Sequence, residues 1–141
     1  MGNRVYGCDD CLAACPWNKF APPHAEPDFQ PRAELAAPRL ADLADLDDAA
    51  FRQVFSGSPV KRVGRDRFVR NVLVAVGNSG RPELAWVAER RADDASPLVR
   101  AMAVWALGRL DGAAARRLAA GRRAVETDAA VLDEIAAVLN P

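Results

Sequence analysis

The chain has 141 residues, near the usual size of one domain, so it can bury one core with little room for a second large one. Half of its residues are apolar and 27% are charged, a globular balance, and no apolar run reaches the roughly eighteen residues that a membrane helix needs, so no membrane partner is expected. The net charge of zero hides a segregation: residues 1–59 carry five Lys or Arg against nine Asp or Glu, and residues 60–141 carry fourteen against ten.

With one histidine, and no stretch that reads as a phosphate-binding loop, a dinucleotide fingerprint or a hydrolase elbow, the chain does not look like a self-contained hydrolase or nucleotide enzyme. Any chemistry therefore rests on the cysteines. The start of the chain lacks an apolar segment behind a basic one, and three cysteines is an odd number, which disfavours a secreted disulfide framework and points to the cytoplasm.

Residues 1–21 hold the most specific chemical signal, Cys8-Asp9-Asp10-Cys11-Leu12-Ala13-Ala14-Cys15-Pro16, with the spacing C-x2-C-x3-C-P. Two cysteines on one tight turn converge on a metal or a cluster iron. In the ferredoxin-like run C-x2-C-x2-C-x3-C-P, the cysteine before proline serves the other cluster of a two-cluster protein. On that reading Cys8 and Cys11 ligate one [4Fe-4S] cluster and Cys15 a second. Two such clusters need eight thiolates, so the remaining five come from another polypeptide or from a longer chain of which this is the C-terminal piece. A structural zinc of the Cys3His type, closed by His24, is the competing reading, and ordinary free or redox-active cysteines are a third.

Residues 22–59 read as a connector with short helices. Pro22, Pro23 and Pro27 rule out a helix interior. From Leu35 the pattern turns helical: Leu40, Leu43 and Leu46 share a face, and Asp47 or Asp48 caps a helix that buries Phe51, Val54 and Phe55 before Gly57-Ser58-Pro59 ends it.

Residues 60–141 predict helix pairs. One helix runs from about Arg65 to Val76 and stops at Gly77-Asn78, a second from about Pro82 to Ala92, and a third from Ser96-Pro97 to Gly108. Asp111 and Thr127 cap two more, the last with Val131, Ile135, Val138 and Leu139 on one face. Val69-Arg70 recurs as Val99-Arg100, and Ala75-Val76-Gly77 as Ala106-Leu107-Gly108, a period of about thirty residues that belongs to helical-hairpin solenoids. The fold class expected is mainly α, a cysteine-rich ferredoxin-like cluster segment followed by a short HEAT-like helical-repeat domain. Trp86 and Trp105 fall on apolar helix faces and are expected in the core, and Arg100 and Arg109 are expected to tie neighbouring helices.

The positive charge is concentrated in Lys61, Arg62, Arg65, Arg67 and Arg70, at a turn leading into a helix. Guanidinium groups meet phosphate oxygens bidentately, so this segment suits a phosphate-contacting edge. The alternative is a solvated face whose arginines pair with the acidic stretch from Asp42 to Asp48.

Several blocks together resemble the epoxyqueuosine reductase family: Tyr6-Gly7-Cys8-Asp9-Asp10-Cys11, Cys15-Pro16-Trp17-Asn18-Lys19-Phe20-Ala21, Gly57-Ser58-Pro59-Val60-Lys61-Arg62-Val63-Gly64-Arg65, and Phe68-Val69-Arg70-Asn71-Val72 through Gly77-Asn78. The resemblance implies an oxidoreductase that reduces epoxyqueuosine to queuosine at the tRNA wobble position, using cobalamin, two [4Fe-4S] clusters and an external electron donor. It implies that Cys8 and Cys11 complete the cluster nearer the cobalamin, that Cys15 ligates the other, and that Asp9 lies near the corrin. It makes tRNA the partner of the basic segment. In the family the cobalamin domain, the acidic proton donor and the first cysteine run precede the position of Met1, so this chain is expected to be a C-terminal portion, inactive alone. The rival expectations are a zinc-stapled HEAT-like binding module without redox activity, and an electron-transfer subunit sharing clusters with a partner chain.

Overall fold

A computed structural model describes residues 2, 4–22 and 32–140, and it is mainly helical, with no strand among the described residues. A one-turn helix α1 (Asp10–Ala13) and a 3-10 turn (Pro16–Phe20) make up the cysteine segment. Short helices α2 (Ala33–Ala36), α3 (Leu40–Ala44) and α4 (Asp48–Val54) follow. A 3-10 turn (Pro59–Val63) leads into α5 (Arg65–Asn78), and then come α6 (Ala85–Arg91), α7 (Pro97–Leu110), α8 (Gly112–Arg122) and α9 (Ala129–Leu139).

The helix starts follow from local chemistry. Asp47 accepts from the Ala50 amide, Ser58 from Val60, Asp111 from Ala113 and Ala114, and Asp128 from Ala130 and Val131. Each carboxylate or hydroxyl satisfies amides that the first helical turn leaves without partners. The cap of α9 is therefore Asp128 rather than the expected Thr127, whose amide instead donates to Glu126. The helix expected over residues 82–92 is split: Pro82–Leu84 forms a 3-10 turn and α6 begins at Ala85.

Helices α5, α7 and α9 lie side by side and parallel. Arg65, at the start of α5, reaches Asp94 just ahead of α7, while Gly77 near the end of α5 faces Trp105 and Ala106 near the end of α7. In the same way Arg100 reaches Glu126 just ahead of α9, and Gly108 faces Val138. Helices α6 and α8 complete the connections, and α7 packs against α5, α6, α8 and α9 as the central element.

Neither Gly77 nor Gly108 stops its helix, as their sequence context suggested; α5 continues to Asn78 and α7 to Leu110. Their role is close helix approach, because a side chain on Gly77 would run into the Trp105 ring. The abundant alanines serve the same end: Ala88, Ala103, Ala106 and Ala115 are fully buried at helix contacts.

The main core joins both halves of the chain. Phe51, Phe55 and Phe68 form a tilted triad with ring centroids 4.8 to 5.4 Å apart. Val69, Val72, Leu73, Val76, Val99 and Leu107 extend it, and Val5 of the cysteine segment packs against its edge. A smaller cluster of Ala101, Val104, Ala119, Val131 and Ile135 closes the far end. Trp105 packs against the core as expected. Trp86 does not: it is 48% exposed, because α6 buries one side only, that of Val87 and Ala88. No helix is long and apolar enough to cross a membrane among the described residues.

Candidate functional site

The cysteine segment is shaped by its backbone. Asp9 takes a left-handed conformation with φ of 51°, the only non-glycine residue with positive φ among those described. Aspartate tolerates this region better than most residues. The reversal places Cys8 ahead of α1 and Cys11 within it, while the Asp9 carbonyl accepts from Ala13 at 2.8 Å. Cys15 precedes the Pro16–Phe20 turn, where proline fixes the entry. The side-chain amide of Asn18 donates to the Leu12 carbonyl, tying this turn back to α1. Arg4 pairs with Asp10 at 2.6 Å across the loop that carries Cys8.

All three cysteines are free thiols; Cys8 and Cys11 are exposed and Cys15 is half-buried. No group of three His, Cys, Asp or Glu side chains converges on one metal position among the described residues. His24 lies outside the described residues. As donors, three accessible thiols on two successive turns fit soft iron–sulfur coordination. Leu12, Trp17 and Phe20 are exposed beside them, with the Trp17 and Phe20 rings tilted against each other at 5.7 Å.

The cysteine segment is anchored to α5. The Asn71 side chain donates to the Val5 carbonyl at 3.1 Å, and Asn78, two helical turns on, donates to the Gly2 carbonyl at 3.4 Å. Asn71 and Cys8 together line a concavity of about 560 Å³, with Arg4, Val5, Tyr6, Gly7 and Asp10. These contacts join residues more than sixty positions apart in the chain.

The basic segment divides into two kinds of arginine. Lys61, Arg62, Arg67 and Arg70 are exposed on the turn and first helical turns of α5. Arg65 is not: its side chain is 12% exposed, and it donates to Asp94 at 2.8 and 2.6 Å, to the Leu46 carbonyl at 3.0 Å and to Asp66 at 3.1 Å. The expected phosphate-facing role thus gives way to a bracing one at Arg65, because Asp94 and the Leu46 carbonyl occupy the donor edge of its guanidinium. The hydrogen bonds that Arg65 donates to Asp94 and, less strongly, to Asp66 raise its pKa. Burial pushes the Asp94 carboxyl up, but the Arg65 and Ser96 hydrogen bonds outweigh it and the net shift is downward.

The acidic stretch pairs elsewhere. Asp42 binds Arg39, Asp48 binds Arg52, and Asp45 binds Arg90 and Arg91. Lys61, Arg62 and Arg67 make no ion pair with it among the described contacts, so the basic edge faces solvent. Arg100 ties α7 to the approach to α9 as expected, bidentate to Glu126 at 2.9 and 2.8 Å, with the Asp94 and Ala95 carbonyls as further acceptors. Those Arg100 bonds hold the Glu126 carboxyl down at about 2. Arg109 makes no such tie, and its guanidinium lies over Trp105 of its own helix.

Comparison with known proteins gives a consistent picture. No family model matches the chain. An epoxyqueuosine reductase from Alicycliphilus denitrificans is 47% identical over 76% of this chain and 32% of its own length. The epoxyqueuosine reductase of Escherichia coli K12 is 40% identical, over 76% of this chain and 28% of its own. A crystal structure of epoxyqueuosine reductase with a tRNA-Tyr epoxyqueuosine-modified tRNA stem loop superposes with a TM-score of 0.89 at 27% identity, over 98% of this chain and 37% of that one. The Bacillus subtilis epoxyqueuosine reductase gives 0.86 at 29% identity over the same shares. The chain spans about a third of the length of these relatives, and over that third it is related, in sequence and in fold, to the epoxyqueuosine reductases.

Proposed function

We propose that this chain is the C-terminal portion of an epoxyqueuosine reductase, contributing iron–sulfur ligands and tRNA contacts to the reduction of epoxyqueuosine to queuosine at the wobble position. The observation that carries the reading is the placement of the cysteine turn against α5: Cys8 shares a concavity with Asn71, and Arg70 of the basic edge donates to Asn71 at 3.2 Å. A thiolate-bearing loop and a cationic RNA-facing edge are thereby held on one helix.

Cys8 and Cys11 would ligate one [4Fe-4S] cluster and Cys15 a second, with Asp9 near the cobalamin; when bound, the clusters supply one-electron transfer and the cobalamin the reducing centre. The remaining ligands and the cobalamin domain belong to a longer polypeptide or a partner chain, and electrons come from an external donor. Within this chain, the left-handed turn at Asp9 joins Cys8, just ahead of α1, to Cys11 in its first turn. Lys61, Arg62, Arg67 and Arg70 contact phosphates, and Arg65 holds the start of α5, which carries Arg67 and Arg70 and follows the turn that carries Lys61 and Arg62. The parallel set α5, α7 and α9, spaced about thirty residues apart, supports a short HEAT-like array as the scaffold.

The test is metal analysis of the complete, anaerobically isolated reductase that contains this segment. Cys8→Ser, Cys11→Ser and Cys15→Ser should each lower iron and acid-labile sulfide and weaken the broad visible absorption. Zinc in place of iron, or iron content indifferent to all three substitutions, overturns the ligand assignment.

A further inference from the structure

Asn71 stands between the two parts of the proposed site. Its amide nitrogen donates to the Val5 carbonyl at 3.1 Å, and its amide oxygen accepts from Arg70 Nη1 at 3.2 Å. Both ends of one short side chain are therefore engaged, one with the extended segment that leads to Cys8 three residues later, the other with an arginine of the basic edge. Val5 is itself seated against the core, among Leu35, Leu40, Phe55 and Phe68. Beyond Val5 the chain has few internal ties: among the described residues, none of the backbone hydrogen bonds outside the helices involves the amides of residues 6–8. Among the described residues, the Asn71 bond is thus the last side-chain tether from the helical part before Cys8, with Arg4–Asp10 closing the loop locally.

We propose that Asn71 is a positioning residue: it holds the backbone that presents Cys8 and, through Arg70, couples that backbone to anionic RNA bound at the basic edge. Coupling of this kind needs a shared element that both ligands bias, and the Asn71 amide is a single rigid plane contacted from both sides. When Arg70 turns toward a phosphate, the Asn71 oxygen loses its donor, and the plane that fixes Val5 is free to rotate. By linkage, whatever RNA does to the Cys8 loop, occupancy at that loop does in equal measure to RNA affinity. The second half of the inference rests on the RNA-binding reading given above; the first half does not.

The experiment uses the 141-residue chain with Cys11→Ser and Cys15→Ser, so that a nitroxide label reacts at Cys8 alone. Its electron spin resonance line shape is compared among Asn71, Asn71→Ala and Asn71→Asp. Aspartate keeps the shape of asparagine but, ionised, has no donor for the Val5 carbonyl. Both substitutions should shorten the label's rotational correlation time several-fold with the thermal midpoint little changed, and Asn78→Ala, which acts only at Gly2, should change it less. An Asn71→Asp label as immobile as the parent, or an Asn71→Ala label unchanged, overturns the positioning role.

Adding a tRNA anticodon stem loop should alter the line shape of the parent and leave that of Asn71→Ala unaltered. If a gel shift shows RNA bound and the parent line shape does not move, the coupling is overturned while RNA binding stands. If no RNA binds, the RNA reading and the coupling fail together, and the positioning role is decided by the label alone.

Discussion

Gly77 of α5 and Trp105 of α7 touch so closely that a Cβ on Gly77 would lie 2.6 Å from Trp105 Cζ3 and 3.1 Å from the Ala106 Cα. Gly77→Ala should therefore destabilise the protein, even though alanine is the better helix former by about 1 kcal/mol. Overpacking against a ring and a backbone atom outweighs that gain, and a net loss of about 1 kcal/mol is expected in urea unfolding. Gly108→Ala is the control: its only close neighbour is a Val138 methyl at 3.2 Å, so the change is expected within about 0.5 kcal/mol of neutral. Equal losses at both positions would contradict the packing account.

Arg65 and Asp94 form the largely buried clamp between α5 and α7, with side chains 12% and 5% exposed. Removing one partner leaves the other with a weaker second pair only, Asp66 at 3.1 Å for Arg65 and Arg91 at 3.6 Å for Asp94, so Arg65→Ala or Asp94→Ala should cost about 2 kcal/mol. In a double-mutant cycle the second substitution should cost much less than the first. Strict additivity would show that the pair is not a functional unit.

Glu126 carries a pH signature. Its carboxyl lies at about 2 in the folded chain against an ordinary 4.5, because Arg100 donates two hydrogen bonds to the ionised form. A depressed folded value contributes stability that is fully present above pH 4.5 and is lost as pH falls toward 2. Asp94, also shifted down, acts in the same direction. Glu126→Gln should flatten the dependence of unfolding free energy on pH in that window. Parallel curves for the parent and Glu126→Gln would assign the acid sensitivity to other groups.

The exposed basic edge makes a prediction in salt. Each phosphate contact contributes about 0.7 to 0.9 to the slope of log affinity against log salt. Arg62→Ala combined with Arg67→Ala should weaken binding of a stem-loop RNA and lower that slope by about 1.5. Neither side chain is buried, so the thermal midpoint should be little affected. An unchanged slope would move the RNA contact to another surface.

Much of this was legible in the residues themselves. The cysteine spacing, the Asp47 and Asp111 caps, the burial of Leu43 on one short helix and of Phe51 and Phe55 on the next, and the thirty-residue echo between α5 and α7 all depend on short-range rules: capping geometry, helical periodicity and turn chemistry act within a few residues. The family resemblance rests on the same local blocks, and it agrees with the sequence and fold relationships found.

Other features required the tertiary structure, because they depend on which distant residues meet. Arg65 and Arg67 have the same charge two positions apart, yet one is clamped by Asp94 and the other faces solvent. Gly77 reads locally as a helix stop, and only the approach of Trp105 shows it to be a contact. Trp86 sits on a face of α6 that its neighbours cover only in part, so periodicity alone could not decide its burial. Asn71 reaching Val5 across sixty-six positions has no local signal at all. Local sequence determined which helices form and where the thiols stand; the packing of α5 against α7 and against the cysteine segment decided which charges remain available, since burial and pairing are set by neighbours in space rather than along the chain.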